Sequence, residues 1–519
     1  MTPASSHGSV SISALIVYQW LPAWEAVKWN PALRQSRPDR KQFYLFSLPA
    51  RLLKRLSGIQ RRSIADSQPR AKDIGIQRYH DEERSKLIKE FVQYGYPWSE
   101  LSESKRSSPE FADLRKPGWL PTAIIVNIPS AGAERRKLKL DASDAIQVQD
   151  RNDKKSAILS LPKRLSDADW SPKGLHPIEI IDGQHRLWAF EEGSDGDMEV
   201  PVVAFYNLDI SWQAYLFWTI NIKPKRINAS LAFDLYPLLR SEEWLNKFAG
   251  HPVYRETRAQ ELVEALWSHP DSPWFHRINM LGESVKQSKD PRPMVSQSAW
   301  VRALLATYVK SWEGPGTRVG GLFGSEKDGH EPRLQWTRTQ QAAFLLHVWM
   351  ELAAAVRKTK GEWATALRKQ DRLARLAADE DLAFFGNGSL FTTDPGIRGV
   401  LNISNDLCWV RSEELELSDW RAPDEATATD QKAVSKALES FKRRNAADFI
   451  MLMASSLAKF DWRTSTAPGL TAAQERDKRA LRGSGGYLQL RRDLVALLAQ
   501  EKGDVGSAAS RVKELLGYK

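Results

Sequence analysis

The stretch IEIIDGQHRLWAF, residues 178–190, decides the fold of the first part of the chain. An apolar, β-branched run ends at Asp182, where the polar pentapeptide DGQHR, residues 182–186, begins without a break. Such a run predicts a buried strand, and the apolar spacing of LWAF predicts that a helix follows. We therefore expect polar side chains at the carboxyl end of a buried strand, where open α/β sheets bind their ligands.

The side chains of the pentapeptide suit a di- or triphosphate ligand. Gly183 lets the backbone approach a ligand that a Cβ would obstruct, and N–H groups at the start of the next helix favour negative charge. Arg186 can hold two phosphate oxygens, His185 can donate a hydrogen bond or move a proton, and Asp182 can bind Mg²⁺ or orient a water molecule. We predict Asp182, Gln184, His185 and Arg186 as catalytic residues, Gly183 and Arg186 as nucleotide ligands and Asp182 as the metal ligand.

A purely structural interpretation of the pentapeptide stays open. An aspartate at a strand end is often a helix cap, and Asp182 with Arg186 four residues later also fits an i,i+4 ion pair. Such a pair contributes only about 0.2–0.5 kcal/mol to an exposed helix.

The flanking sequence predicts further strands and two capped helices. Strands are expected in VSISALIVYQW, in KQFYLFSLP ahead of a helix ARLLKRL, in TAIIVNIP (122–129) and in VPVVAFYNL (200–208), and the buried runs indicate a mixed or parallel sheet covered by helices. Helices are expected from Asp81 to Gly95 and after Asp209. The polar segment 131–174 reads as a loop or hairpin insertion.

Beyond Leu239 the sequence becomes mostly helical, with helices expected at 339–357, between 430 and 460, and at 487–500. We therefore predict three segments: a basic N-terminal segment (1–70) packed on the core domain, an α/β domain (71–240) and a helical region (241–519).

Positive charge is concentrated near the N-terminus. The chain has a formal net charge of +11, and residues 31–72 hold eleven basic side chains against two acidic ones. Clustered charge of one sign favours a polyanionic partner, and nucleic acid is the expected one, although a solvated face remains the alternative. The predicted DNA contacts are Arg51, Lys54, Arg55, Arg61 and Arg62.

Composition excludes several other classes. The apolar stretch 342–356 is too short to span a membrane, and no secretory signal opens the chain, so we expect a cytoplasmic protein without a membrane partner. Cys408 is the only cysteine, which excludes internal disulfides and multi-cysteine zinc sites, and its flanks predict a buried, inert thiol. The nine histidines show no HExxH spacing.

DGQHR after a β-branched strand, with LWAF behind it, resembles the signature of the DGQHR-domain proteins. This family includes the DndB-like proteins of DNA phosphorothioation and the DGQHR proteins of 7-deazaguanine DNA modification. YLFSLPARLLKRLS, IQR before a helix, GWLPTAIIVNI and TINIKPKRIN match in the same order, so the resemblance covers roughly residues 40–240. It implies an α/β N-terminal domain of the ParB/sulfiredoxin type, followed by a mostly α-helical C-terminal region.

In the ParB/sulfiredoxin superfamily a Gly-x-x-Arg element binds nucleotide phosphates, which maps here to Gly183 and Arg186. Sulfiredoxins carry a reactive cysteine where this chain has Gln184, so sulfinic acid reduction is excluded. ParB proteins have an acidic residue there and use CTP, so the nucleotide is not fixed by the resemblance. A similar Asp-Gly-Gln-Gln-Arg element in NTPases of phage defence also favours an NTP site.

The resemblance adds weaker candidates. Gln77 and Arg78 precede the first predicted helix and are expected in the same pocket, with an ordinary surface pair as the alternative. Asn221, with Lys223 and Lys225, is expected to reach base or phosphate, with a helix C-cap as the alternative. RGSGGYLQL (482–490) predicts a Gly-rich turn before a helix, as an anion site or a plain loop. Most of the 20 tryptophans should be core, with Trp188 and Trp218 as candidate base-stacking residues.

These expectations combine into one predicted function and one rival. The chain is expected to bind and hydrolyse a nucleoside triphosphate, with ATP first among the candidates and Mg²⁺ as cofactor. It would act on DNA with other proteins of a DNA-modification or phage-defence system. The rival is a non-enzymatic, DNA-binding transcriptional regulator of such a system.

Overall fold

The computed structural model describes residues 10–29, 36–58, 81–135, 137–167, 169–190, 197–222, 228–247, 250–283, 294–313, 318–327, 331–370, 380–421, 426–481 and 483–518. The chain divides into two compact units, residues 1–226 and 227–519. The sequence had placed this division near 240 and had separated residues 1–70. In the structure, the described part of 1–70 supplies strands to the main sheet of the first unit.

An eight-stranded mixed sheet forms the centre of the first unit. The strands of this unit are β1 (Ser11–Tyr18), β2 (Gln42–Pro49), β3 (Ser57–Gly58), β4 (Ile124–Ile128), β5 (Glu134–Arg135), β6 (Leu138–Lys139), β7 (Gln147–Asp150), β8 (Ser156–Ser160), β9 (Ile178–Asp182) and β10 (Glu199–Tyr206). Their order in the sheet is β3-β9-β4-β10-β2-β1-β8-β7. Strand β9 runs parallel to β3 and antiparallel to β4, while β10 runs parallel to β4. A separate hairpin joins β5 to β6.

The strands expected from apolar runs are confirmed, whereas segment 131–174 is more regular than expected. It contributes β7 and β8, and β8 pairs with β1 to extend the sheet. Along β8 burial alternates, with Ala157 and Leu159 facing the core. This period of two extends over only five residues among polar neighbours, which is why the sequence pattern did not reveal it.

Local capping chemistry predicts both ends of the helix Glu82–Tyr94 and the start of the helix Ile210–Ile222. Asp81 accepts a hydrogen bond from the Arg84 N–H (3.0 Å), and Gly95, with a φ of 66°, ends the helix. Asp209 accepts from the Ser211 and Trp212 N–H groups (2.9 and 3.0 Å). The helices are α1 (Ala50–Leu56), α2 (Glu82–Tyr94), α3 (Glu103–Arg106), α4 (Gln184–Trp188) and α5 (Ile210–Ile222), with 3-10 turns at Pro22–Ala26, Trp98–Glu100, Pro109–Leu114 and Lys163–Ser166.

The apolar core of the first unit lies directly behind the pentapeptide. Ile178 and Ile180 of β9, Leu187 of α4 and Leu53 and Leu56 of α1 belong to one buried cluster. Burial of each such side chain contributes about 1.5–3 kcal/mol. The short α4 is therefore held in place by packing rather than by its own helical stability.

The second unit is mostly helical, as predicted. Its helices are α6 (Ala229–Asp234), α7 (Tyr236–Leu239), α8 (Glu242–Asn246), α9 (Pro252–Ser268), α10 (Gln297–Leu305), α11 (Arg338–Lys358), α12 (Glu362–Arg368), α13 (Leu382–Phe385), α14 (Asp394–Val410), α15 (Gln431–Phe441), α16 (Asn445–Leu457), α17 (Ala472–Arg479), α18 (Gly483–Leu498) and α19 (Asp504–Leu515). A strand pair, β11 (Ile278–Asn279) and β12 (Val295–Ser296), and 3-10 turns at Leu390–Thr392 and Leu417–Asp419 complete it.

Large aromatic side chains fill the core of the second unit. Eleven of the 20 tryptophans are buried, which agrees with the expectation that most indoles are structural. Five of those in this unit are fully buried, namely Trp274, Trp300, Trp349, Trp420 and Trp462. Cys408 is also buried, and burial raises the pKa of its thiol to about 12, which agrees with an inert cysteine.

The Gly-rich segment near the C-terminus differs from its prediction. The expected turn ahead of a helix is part of the helix, because α18 already begins at Gly483. A Cβ on Gly486 would lie 2.1 Å from the Leu481 carbonyl carbon, so close packing explains that glycine. Among the described residues, none of the helices combines the length and apolar character needed to cross a membrane.

Candidate functional site

A β-bulge at the end of β9 directs Asp182 toward α5. Asn127 of β4 pairs with Glu179 and Val126 with Ile180, but Ile125 then pairs with Asp182, so β9 has one extra residue. In a strand without a bulge, Glu179 and Asp182, which are three positions apart, would face opposite sides of the sheet. The bulge lets both acids contact α5, through Gln213 and Asn221 respectively.

Gly183 meets a backbone requirement as well as a packing requirement. Its φ of 97° is in the left-handed region, and a Cβ there would lie 2.7 Å from Cδ1 of Ile124. The sequence interpretation had given this glycine a role in close approach to a ligand. The structure gives internal reasons that are sufficient by themselves.

Arg186 is fixed by three acceptors. Nη1 donates to the carbonyl oxygens of Thr122 (2.9 Å) and Ala123 (3.0 Å), and Nη2 pairs with Oδ2 of Asp182. The i,i+4 ion pair that the sequence left open is therefore present. Both side chains retain partial exposure, 19% for Arg186 and 17% for Asp182. Among the described residues, Nε and the second N–H of Nη2 have no partner, so the guanidinium still offers two donors.

Asn221 closes the other side of Asp182. In the last turn of α5, its Nδ2 donates to Oδ1 of Asp182 (3.1 Å) and to the Phe217 carbonyl (2.9 Å). The Asn221 side chain is exposed. Both oxygens of Asp182 thus accept from protein donors, and the carboxylate links Arg186 to Asn221.

The two central residues of the pentapeptide differ in their surroundings. Gln184 is 4% exposed, and its Nε2 has no hydrogen-bond partner among the residues that the structure describes. A buried donor without a partner costs about 1–3 kcal/mol, so a ligand oxygen that accepted from this Nε2 would recover that free energy. His185 is half-buried, and its carbonyl accepts from Oγ of Ser85 on α2 (3.2 Å).

A buried polar network underneath Asp182 was not predicted. Oε2 of Glu179 accepts from Asn127 and from Gln213, each at 2.8 Å. Oε1 lies 3.2 Å from Nε of Arg135, which supplies the compensating charge. Glu179 is 1% exposed and Asn127 is fully buried, so this network fixes α5 against β9. The acid within the apolar run IEII was the available sequence signal.

The described residues predicted to contact DNA make contacts within the first unit. Lys54 donates to the Phe190 carbonyl (3.2 Å), and Arg55 donates to the carbonyls of the loop 165–170, at 2.8 Å for Asp167. Arg51 is 54% exposed and pairs with Asp197 at 2.7 Å. Six predicted residues lie outside the described residues, namely Arg61, Arg62, Gln77, Arg78, Lys223 and Lys225.

The structure also bears on the predicted metal ligand and on the two tryptophans predicted to stack on bases. Within the described ranges, no group of three or more His, Cys, Asp or Glu side chains has the arrangement of a metal site. Trp188 is half-buried and packs against the core of the first unit, whereas Trp218 is 44% exposed.

Comparisons of this chain with protein-family models, with curated proteins and with solved structures found no match. The resemblance to the DGQHR-domain proteins therefore remains a prediction that rests on residues 182–186 and their flanks.

Proposed function

We propose that the pentapeptide binds and hydrolyses a nucleoside triphosphate, ATP first among the candidates, in a DNA-associated protein of a DNA-modification or phage-defence system. The observation that carries the proposal is the state of Arg186. Three acceptors hold its guanidinium in place, yet two N–H groups remain available at a partly exposed position. A pre-positioned arginine with two free donors suits two phosphate oxygens.

The neighbouring side chains support a phosphate ligand by their chemistry. Two further neutral donors lie near Arg186. One is the unpaired Nε2 of Gln184, two positions earlier in the sequence, and the other is the exposed amide of Asn221, which shares Asp182 with Arg186. Asp182 acts in this proposal as a positioning residue, because it orients Arg186 and Asn221. His185 remains the candidate for proton transfer to or from the attacking water.

Mg²⁺ fits less well than the nucleotide does. Asp182, its predicted ligand, already accepts a hydrogen bond on each oxygen, from Arg186 and from Asn221, so a metal ion would have to share both oxygens with these donors. Mg²⁺ commonly binds through substrate phosphates and water with few protein carboxylates.

Because both oxygens of Asp182 accept hydrogen bonds from the protein itself, a second candidate function is also supported, namely a DNA-binding regulator without turnover. If Asp182 only stabilises the turn through Arg186, the pentapeptide is a scaffold or a ligand sensor. The two candidates share DNA as partner and differ in phosphate release.

The deciding experiment measures nucleotide binding and phosphate release separately. ATP, GTP and CTP would each be titrated with Mg²⁺, with and without DNA, against the full chain and against Arg186→Ala and Asp182→Asn. Arg164→Ala is the matched control, because Arg164 forms an exposed pair with Asp167 in the same unit. We expect Arg186→Ala to weaken binding at least tenfold, as loss of a charge-assisted contact of about 1.5–3 kcal/mol requires.

Three outcomes separate the candidates. Binding with turnover that Asp182→Asn removes supports the enzyme. Binding without turnover in folded protein favours the regulator with a ligand sensor. Unchanged affinity in Arg186→Ala, equal to that of Arg164→Ala, would reject the pentapeptide as the nucleotide site.

A further inference from the structure

A cavity in the first unit is lined by none of the residues 182–186. It has a volume of about 620 Å³ and is bounded by residues 19–29, by β2 and β10 and by the first turns of α5. We call it the aromatic cavity. The rings that carry the argument belong to Trp20, Trp24, Trp29, Phe43, Trp212 and Tyr215.

Internal hydrogen bonds hold two of the indoles by their edges. Nε1 of Trp20 donates to Oε1 of Glu25 (2.8 Å), and Nε1 of Trp212 donates to the Ser36 carbonyl (2.7 Å). Trp29 lies between them, with ring centroids 6.3 Å from Trp20 and 5.9 Å from Trp212. Since the polar edges are already paired, these rings can offer a ligand only their π faces.

The cavity leaves large apolar side chains in contact with solvent. Trp24 is 41% exposed, Val27 46% and Tyr215 55%. Contiguous exposed aromatic surface in a folded protein commonly marks a binding site. A volume of about 620 Å³ also lies within the range of roughly 300–1,000 Å³ that small-ligand sites occupy.

The charges around the cavity exclude a cationic ligand. Arg40 and Lys41 are among the described lining residues, and no carboxylate is. Lys41 and Arg37 each lie 5.6 Å from the Trp20 ring centroid, where they already occupy the cation–π position. Glu25 pairs with both of these cations from outside the lining. A flat ligand with an anionic group therefore complements the site better than an ammonium group does.

We infer that the aromatic cavity binds a nucleobase, either from a free nucleotide or from an unpaired base of single-stranded DNA. Aromatic side chains beside basic ones form the usual platform for unpaired bases, since every base has a π face that can stack. This inference is independent of the nucleotide proposed at residues 182–186.

The test compares strands with the same phosphates but different bases. The full chain would be titrated with a short fluorescent single-stranded oligodeoxynucleotide and with an abasic strand of equal length, followed by anisotropy. Unlabelled deoxynucleoside monophosphates would compete in a separate arm. The variant is Trp24→Ala with Tyr215→Ala, two exposed rings whose loss spares the core. Trp119→Ala is the matched control, because Trp119 is 77% exposed and does not line the cavity.

We expect the wild type to bind the base-containing strand about tenfold or more tightly than the abasic strand, the size of one stacked base. The double variant should lose this preference, while Trp119→Ala and Arg186→Ala should keep it. If monophosphates compete with the oligodeoxynucleotide, the cavity binds free nucleotides. If they do not compete, the cavity binds a base of single-stranded DNA.

Equal wild-type affinity for both strands without monophosphate binding would overturn the inference, and so would an equal loss in Trp119→Ala. Loss of turnover in Arg186→Ala with the base preference intact would show that the two sites are separate.

Discussion

Oδ1 of Asp182 accepts a hydrogen bond of 3.1 Å from Nδ2 of Asn221, which joins the end of β9 to the last turn of α5. The two residues are 39 positions apart in the sequence. The pentapeptide is therefore not a self-contained loop, since the orientation of its carboxylate depends on a helix that begins after β10.

Asn221→Ala should weaken nucleotide binding at residues 182–186 without unfolding the protein. Loss of one hydrogen bond of about 0.5–1.5 kcal/mol corresponds to an affinity loss of roughly two- to tenfold. Calorimetric titration with ATP would measure it, and Asn152→Ala, which changes an exposed amide in the same unit, is the control. An unchanged affinity would remove Asn221 from the nucleotide site.

Gly183→Ala should destabilise the first unit by about 1–3 kcal/mol, because alanine is strained at a φ of 97° and its Cβ would contact Ile124. Hydrogen exchange of peptides from β4 and β9 would report the loss. Gly132→Ala serves as a comparison, since that glycine also has a positive φ but its Cβ would meet nothing closer than 3.7 Å. Equal effects at both positions would show that contact with Ile124 is unimportant.

Arg135→Met should destabilise the first unit by roughly 3–5 kcal/mol, because it leaves the Glu179 carboxylate buried without its cation. Adding Glu179→Gln to the same chain should recover part of that free energy, since the second change removes the unpaired charge. Denaturant unfolding of the single and double variants measures the coupling. Additive losses would argue against the Arg135–Glu179 pair.

Arg51 and Arg55 should behave differently in DNA binding. Arg51→Ala removes an exposed cation, so the slope of log affinity against log salt should fall by about 0.9 if Arg51 contacts a phosphate. Arg55 donates to carbonyls of the loop 165–170, so Arg55→Ala should increase hydrogen exchange in that loop. If Arg51→Ala leaves the slope of log affinity against log salt unchanged, Arg51 does not contact a DNA phosphate.

The second unit should lose stability as the pH falls below about 6.5. Burial, the main cause, with the nearby Lys442 charge, lowers the pKa of His347 from 6.5 to about 4. Above 6.5 the imidazole is neutral in both states and contributes nothing. Below pH 6.5, the imidazole binds a proton in the unfolded chain but not in the folded chain. The resulting loss in the free energy of unfolding reaches about 3 kcal/mol near pH 4.

His347→Gln should remove that part of the pH dependence. Hydrogen exchange of α11 peptides across this range would measure it, and the difference between variant and wild type should stay constant above pH 6.5. A difference that keeps changing at neutral pH would assign the effect to another group.

Local chemistry explains which elements were predictable. Asp81 and Gly95 delimit α2, and Asp209 starts α5, because caps act within one helical turn. The β9 strand was evident from IEII, since β-branched residues on both faces indicate burial.

Contacts between distant segments could not be predicted in the same way. The bulge that directs Asp182 depends on the register between β9 and β4, which no local pattern encodes. Arg55 was grouped with its charged neighbours, but its acceptors lie 110 to 115 residues further along the chain. Asn221 was named through the family resemblance, and the bond to Asp182 required the packed position of α5.

Helix α5 contacts the aromatic cavity at one end and Asp182 at the other. Trp212 and Tyr215 line the cavity near its start, and Asn221 bonds to Asp182 in its last turn. At a rise of about 1.5 Å per residue, Trp212 and Asn221 lie about 14 Å apart along the axis of the helix. If each end takes a ligand, and each ligand favours a particular axial position of α5, the two binding equilibria are linked. The two ligands would then change each other's affinity by the same factor, as linkage requires.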